Sequence, residues 1–338
     1  MKNILITGGL GFVGINIATR LSNNGFRCVL VDDFYRSESK KNLNLIKGNK
    51  NIEFIQLDIT DFNKTEILIK KEKFYAILNF AGQVAMSKSL ENPIKDFNIN
   101  AFGSLCLLES IRKHSRDTLY LFSSTNKVYG DLTWDKLNSF ETRYESIDYK
   151  YGYKSDLPIM LSTPYGCSKG IADLYALDYF KSFGIRTLVL RLSSIYGINQ
   201  HSTYDQGWIG WFVNEAINKK NNMFIDVLGN GKQVRDILYI KDLEELILQM
   251  IDKPEFFNGA KFNVGGGYEN SLSIIELIQY LSSIFNKSLL INKNDERISD
   301  QKYYVSNIAE LENLFSWNPK INKYDGIENY IKYVKNSK

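Results

Sequence analysis

Residues 4–14 read ILITGGLGFVG. Ile4, Leu5 and Ile6 run into a turn with glycines at 8, 9, 11 and 14, and INIATRLSNNG (15–25) then has the spacing of an amphipathic helix. Gly8, Gly11 and Gly14 form a G-x-x-G-x-x-G pattern at this strand-to-helix turn. Without Cβ atoms the turn can be tight, and a pyrophosphate can approach the backbone N–H groups at the positive end of the helix dipole. A glycine pattern alone marks only a turn. Placed between a strand and a helix, it predicts a dinucleotide site formed by Gly8, Gly11, Phe12, Val13 and Gly14.

Working outward, CVLVD (28–32), IEFIQL (52–57), YAILNFA (75–81), TLYLFSS (118–124) and TLVLRL (187–192) are further short apolar runs. Helical patterns such as NAFGSLCLLESIRKH (100–114) separate them. This alternation predicts an α/β fold, a Rossmann-type doubly wound parallel sheet covered on both faces. Asp32 ends the second strand 18 residues after Gly14, where a carboxylate binds ribose hydroxyls and repels a 2′-phosphate. The predicted cofactor is therefore NAD rather than NADP, a preference softened by Arg36. Asp58 and Ile59 in LDIT are placed toward the adenine, and Phe80, Ala81 and Gly82 end the fourth strand where the cofactor would cross.

The remainder is less regular. Residues 131–163 form a polar and aromatic insertion, and loops of that length are usually functional. FIDVLG (224–229) and KFNVGGG (261–267) read as strands, and SLSIIELIQYLSSIF (271–285) as a helix with Ser271 or Ser273 near its start. The expected division is a dinucleotide-binding domain over 1–190 and a smaller substrate-binding lobe over 191–338, with about 224–265 returning to the first.

The 338 residues, 44% hydrophobic, are ample for a large core. A net charge of +4 with no concentrated basic run predicts no nucleic-acid partner. Three isolated cysteines and two histidines offer no metal site and suit a reducing compartment. No apolar run reaches the roughly 18 residues of a membrane helix, and MKNILITGG enters a strand pattern too early for a signal peptide. The expectation is a cytoplasmic protein.

LSTPYGCSKG (161–170) carries the reacting groups. Tyr165 and Lys169 stand four apart, one helical turn, just behind Pro164. Thr125 follows the end of the fifth strand, which in open α/β sheets faces the ligand crevice. Alone, each has an ordinary structural reading. Together with the glycine loop they predict a catalytic unit: Thr125 hydrogen-bonds the reacting oxygen, and Tyr165 as phenolate takes a hydroxyl proton. Lys169 lowers the phenol's pKa from about 10 and holds the nicotinamide ribose. Asn126 and Lys127, beside Thr125, are candidates for substrate contact or for strand-end structure.

TGGxGFVG, Asp32, NFAG, NAFGS, SSTxxVYG and Tyr165-x-x-x-Lys169 resemble the extended short-chain dehydrogenases/reductases, especially the nucleotide-sugar epimerases and dehydratases. TNKVYGDL, ETRY, PYGCSKG, TYDQGWIGWF, GNGKQVRD and SDQ are similar to the branch that inverts C2 of a CDP-linked 3,6-dideoxyhexose with bound NAD. The resemblance implies that Asn100 supports the cofactor site and that Ser194 contacts nucleotide or cofactor. It places Gln206 on the substrate side and a diphosphate clamp at Arg235 and Arg297; as surface arginines, these two would pair with Asp236 and Glu296. A homo-oligomer and a CDP-linked substrate are also implied. Ile198-Asn199-Gln200-His201 departs from the family's expected Gly/Pro-Arg-Gln-Phe stretch. The family's dehydratases carry Asp-Glu after the threonine, where this chain has Asn126 and Lys127. A UDP-sugar 4-epimerase would share the whole triad, and a non-catalytic NAD sensor would be expected to have lost it.

Overall fold

The computed structural model describes residues 1–336. Its strands are β1 (Asn3–Thr7), β2 (Arg27–Asp32), β3 (Ile52–Gln56), β4 (Ala76–Asn79), β5 (Leu119–Thr125), β6 (Leu137–Ser139), β7 (Tyr144–Ser146), β8 (Thr187–Leu192), β9 (Ser194–Tyr196), β10 (Met223–Leu228), β11 (Val234–Tyr239), β12 (Ala260–Val264), β13 (Ser271–Ser273), β14 (Leu289–Asn294) and β15 (Tyr303–Tyr304). The chain forms two compact units. The first holds Met1–Val128, Pro164–Arg191 and Leu243–Phe262; the second holds Tyr129–Thr163, Leu192–Asp242 and from Asn263 onward.

In the first unit, seven strands lie in the order β12-β8-β5-β4-β1-β2-β3. The pairings of β1 with β2 and β4, of β2 with β3 and of β4 with β5 are all parallel. The order reverses between β1 and β4, and that switch point is where doubly wound sheets bind ligands. Helices cover both faces, so inner strands read as continuous apolar runs: Ile4, Leu5, Ile6 and Ala76, Ile77, Leu78 are buried throughout. Leu5, Val29, Ile77, Phe122 and Val189 of successive strands pack with Leu107, Ile111, Ala172 and Ala176 of the helices Gly103–His114 and Thr163–Phe183. The segment that reads KFNVGGG supplies β12, an edge strand of this sheet.

In the second unit, β11 pairs in parallel with β9 and β15 and antiparallel with β13. β10 and β14 form a separate parallel ribbon. The insertion over 131–163 contains the antiparallel hairpin β6–β7 within otherwise irregular chain. The helix Ile274–Phe285 starts at Ser273, not Ser271. The Ser273 hydroxyl accepts from Glu276 N–H at 3.1 Å, while the Glu276 carboxylate accepts from Ser273 N–H at 2.8 Å, a capping box. Its apolar face joins Phe212, Val213, Ile327 and Ile331 in this unit's core. Among the described residues, no helix is long and apolar enough to cross a membrane.

Candidate active site

The glycine loop closes the switch point. Gly8 has φ +60°, and a Cβ there would lie 2.8 Å from Ala81 N, so the segments after β1 and β4 touch backbone to backbone. Gly11 N–H donates to the Gly8 carbonyl at 2.9 Å. A Cβ on Gly14 would lie 2.3 Å from that same oxygen. The helix Phe12–Asn23 then begins with no side chain capping Gly11 and no acid in its first turn, which suits an anion. The Asp32 carboxylate accepts from Leu10 N–H at 3.2 Å and Phe34 N–H at 2.9 Å, and burial pushes its pKa up. It therefore braces the loop as well as marking the end of β2. This cradle, which Cβ atoms would fill, fits the pyrophosphate and ribose of a dinucleotide.

Phe80 N–H donates to the Thr7 carbonyl and Ala81 N–H to the Thr7 hydroxyl, at 3.2 and 3.3 Å. Asp58 is exposed; it accepts from the N–H and hydroxyl of Thr60, both at 2.8 Å, as in a local turn. Ile59 is a core residue packed over Gly103, where a Cβ would meet its Cδ1 at 2.7 Å. Gly82 faces the next layer: its Cβ would lie 3.0 Å from Asn100 Oδ1 and 3.8 Å from Lys169 Nζ.

Thr125 ends β5, and Tyr165 and Lys169 lie near the start of the helix Thr163–Phe183, with Pro164 in its first turn. All three are buried in the first unit. The Tyr165 phenol shares a hydrogen bond with the Thr125 hydroxyl. Thr125 also donates to Asn126 Oδ1 at 3.3 Å and accepts from Lys127 N–H at 3.2 Å, so Asn126 and Lys127 shape the strand end. The Lys169 amine reaches across to β5. Lys169 Nζ donates to the Ser123 carbonyl at 2.5 Å and sits 4.3 Å from the centre of the Phe122 ring. Burial pushes Tyr165 up to about 12, the Thr125 hydrogen bond opposing and the Asp96 charge adding. Burial pulls Lys169 down to about 7, opposed by Asp173 and Asp96. Both groups resist charging for the same reason, a low-dielectric surrounding.

A polar layer supports this turn; the sequence reading points to Asn100 in it, but not to Asp96 or Ser168. Asn100 sits in a π-helical turn, Asn98–Phe102, of the kind found at functional sites. Its Nδ2 donates to the Gln83 carbonyl at 3.0 Å, Asp96 Oδ1 at 3.2 Å and Ser168 Oγ at 3.0 Å, and its Oδ1 accepts from Gln83 N–H at 2.9 Å. The Ser168 hydroxyl donates to Asp96. One turn on, Asp173 forms a two-pronged ion pair with Arg191 of β8, both contacts at 2.9 Å, and accepts from the Ser124 hydroxyl at 2.7 Å. Asp173 lies four residues after Lys169, a spacing that signals a shared helix face.

In the second unit, Ser194 opens β9 and accepts from Trp208 Nε1 at 3.1 Å. Gln206 pairs its backbone with Thr203 in a tight turn. Arg235 on β11 donates to Asp300 at 2.7 Å rather than pairing with its neighbour Asp236. Successive strand residues point to opposite faces. Asp236 is accordingly buried on the other side, where it accepts from the Ser193 hydroxyl and from Gly267 and Ser306 N–H. Arg297 donates to the Tyr204 carbonyl at 3.0 Å, not to Glu296. Arg297 and Asp300 line one pocket with Tyr144, Gln233, Glu296 and Lys302. Asn199 takes φ +64°, a conformation asparagine tolerates better than most side chains.

The chain matches the family model described as GDP-mannose 4,6 dehydratase over residues 5–330. It is 41% identical over 327 residues to a CDP-paratose 2-epimerase from Salmonella typhi, covering 96% of this chain and 97% of that protein. Among solved structures, a UDP-glucose 4-epimerase with UDP-glucose from Thermotoga maritima has a TM-score of 0.83 at 23% identity, covering 99% of both chains. A dTDP-glucose 4,6-dehydratase from Bacillus anthracis, in complex with NAD, has a TM-score of 0.81 at 25% identity, covering 100% of this chain and 98% of that one.

Proposed function

The chain belongs to the GDP-mannose 4,6-dehydratase family of extended short-chain dehydrogenases/reductases, and from that premise we propose that it epimerises C2 of a CDP-linked 3,6-dideoxyhexose, converting CDP-paratose to CDP-tyvelose with NAD. The observation that carries the choice of sugar and nucleotide is the end-to-end likeness to the Salmonella enzyme. The buried Thr125–Tyr165–Lys169 unit supports the chemistry.

Held by the Gly8–Gly14 cradle and Asp32, NAD would supply a reversible acceptor for the C2 hydrogen with its electron pair and a positive ring charge that favours the Tyr165 phenolate. Thr125 hydrogen-bonds the C2 oxygen. Tyr165 takes the C2 hydroxyl proton, leaving a 2-keto sugar, and returns it after the sugar has presented its other face. Lys169 as ammonium stabilises the phenolate and holds a ribose hydroxyl. Arg235 and Arg297 are assigned the diphosphate, whose two negative charges suit planar forks. Anchoring there lets the sugar turn without leaving.

The test is incubation of the purified protein with CDP-paratose in deuterated water without added NAD, followed by NMR, with UDP-glucose in parallel. C2 inversion without deuterium at C2 is the expected result. Solvent deuterium at C2 would show an enolisation route, and turnover of UDP-glucose alone would move the assignment to C4 of a UDP-sugar. Tyr165→Phe should lower turnover by at least about 100-fold and leave NAD binding intact; full activity would remove the assigned base.

A further inference from the structure

Four charged side chains are buried around the candidate triad: Asp96, Lys169, Asp173 and Arg191. Arg191 and Asp173 neutralise each other through two hydrogen bonds of 2.9 Å. Asp96 and Lys169 remain. Asp96 is 1% exposed, and its donors are all neutral: Ser168 Oγ, Gln83 Nε2 at 2.8 Å and Asn100 Nδ2 at 3.2 Å. Lys169 is 3% exposed and donates to a carbonyl. A buried carboxylate or ammonium held only by neutral partners either finds a counter-charge or loses its own. The two are linked through few atoms. Ser168, bonded to Asp96, directly precedes Lys169. Asn100 bridges Asp96 and Ser168, and its Oδ1 lies against Gly82, which faces Lys169 Nζ.

We propose that Asp96 is a positioning residue of this site: its carboxylate is the counter-charge that keeps Lys169 an ammonium, and its bond to Ser168 holds the helical turn carrying Tyr165 and Lys169. Asp96 acts through these groups and does not itself touch the reacting atoms. The charges acting on Lys169 are Asp173 from its own helix, which is engaged by Arg191 of β8, and Asp96 from the short helix Pro93–Phe97; Tyr165 stands one turn before it. From β5 come the Phe122 ring and the Ser123 carbonyl. The Asp96 charge raises the pKa of both Lys169 and Tyr165. The inference rests on the proposed epimerase reading for its catalytic meaning, but the coupling of Asp96 to Lys169 is measurable without any substrate.

The experiment compares wild type with Asp96→Asn, which preserves size, removes the charge and leaves one oxygen to accept where the carboxylate has two. Protein as purified carries ¹⁵N at the lysine Nζ, and the resonance missing in Lys169→Met is assigned to Lys169. Its titration midpoint should fall by about 1 in pH in Asp96→Asn; an unchanged midpoint in the folded variant overturns the proposal. On the substrate, both limbs of the pH profile of kcat/KM should move to lower pH together, whereas a merely structural role would lower the rate without moving them. If Asp96→Asn does not fold, Gln83→Leu and Ser168→Ala each remove a donor that favours the charged Asp96. A lower Lys169 midpoint in either supports the coupling, and unchanged midpoints in both refute it. Failure of wild type to turn over CDP-paratose, with the midpoint shift intact, would sink the substrate reading alone.

Discussion

Replacing Gly14 by alanine sets two physical preferences against each other. The residue lies inside the helix Phe12–Asn23, where alanine is ordinarily favoured over glycine by about 1 kcal/mol. Contact geometry opposes this. The new Cβ would lie 2.3 Å from the Gly8 oxygen and 2.8 Å from Gly9 Cα, while ordinary contact begins at 3.4 Å. Backbone atoms of Gly8 and Gly9 must then retreat by about 1 Å, an overpacking that costs roughly 1–3 kcal/mol. The retreat strains the bond from Gly11 N–H to Gly8 O, at 2.9 Å, and that from Gly9 N–H to Val31 O, at 3.0 Å. Weakening two backbone hydrogen bonds adds about 1 kcal/mol each. The sum favours glycine by about 2–4 kcal/mol, and the displaced cradle should weaken NAD binding by at least about tenfold. Thermal denaturation of the cofactor-free protein reads the first effect and calorimetric titration with NAD the second. A Gly14→Ala protein that melts at or above wild type and binds NAD equally well would refute the reasoning.

Lys169→Met should raise the melting temperature of cofactor-free protein while abolishing turnover. Burial holds Lys169 near 7 against an ordinary 10.5. The folded chain therefore carries the full cost of the buried ammonium below pH 7, and that cost disappears as pH rises toward 10.5. The advantage of the methionine should be largest at low pH and gone by about 10.5; melting curves across that range check it. Arg235→Ala should weaken nucleotide-sugar binding at least about tenfold and leave NAD binding unchanged, and equal losses in calorimetry would contradict the diphosphate assignment. Asp173→Asn strands the buried Arg191 charge and should cost about 3–5 kcal/mol by urea denaturation. Replacing both partners with leucine and methionine should recover most of that loss.

Elements whose residues interact mainly with their chain neighbours were readable from the sequence. The apolar runs that became β1, β2, β4 and β5 needed no partner to be recognised, because burial on both faces makes them continuous. The Ser273 cap was readable to within two residues. Less visible were elements whose character depends on distant partners. β11 reads VRDILY, with two charges side by side and no period-2 pattern, and it is a central strand because β9, β13 and β15 come to it from elsewhere in the chain. The pairing of Arg235 with Asp300 rather than Asp236 also required the fold, since it spans 65 positions.

The amino-acid sequence by itself determined the parallel sheet and the glycine turn and singled out three candidate side chains, because strand period, missing Cβ atoms and one-turn spacing are local properties. Only the tertiary structure decided the state of those side chains. Their burial, the turn of Lys169 toward the Ser123 carbonyl, and the choice of Asp96 as a neighbouring charge arise from segments far apart in the chain. A pKa depends on the dielectric and the charges that folding brings together, which sequence spacing does not contain.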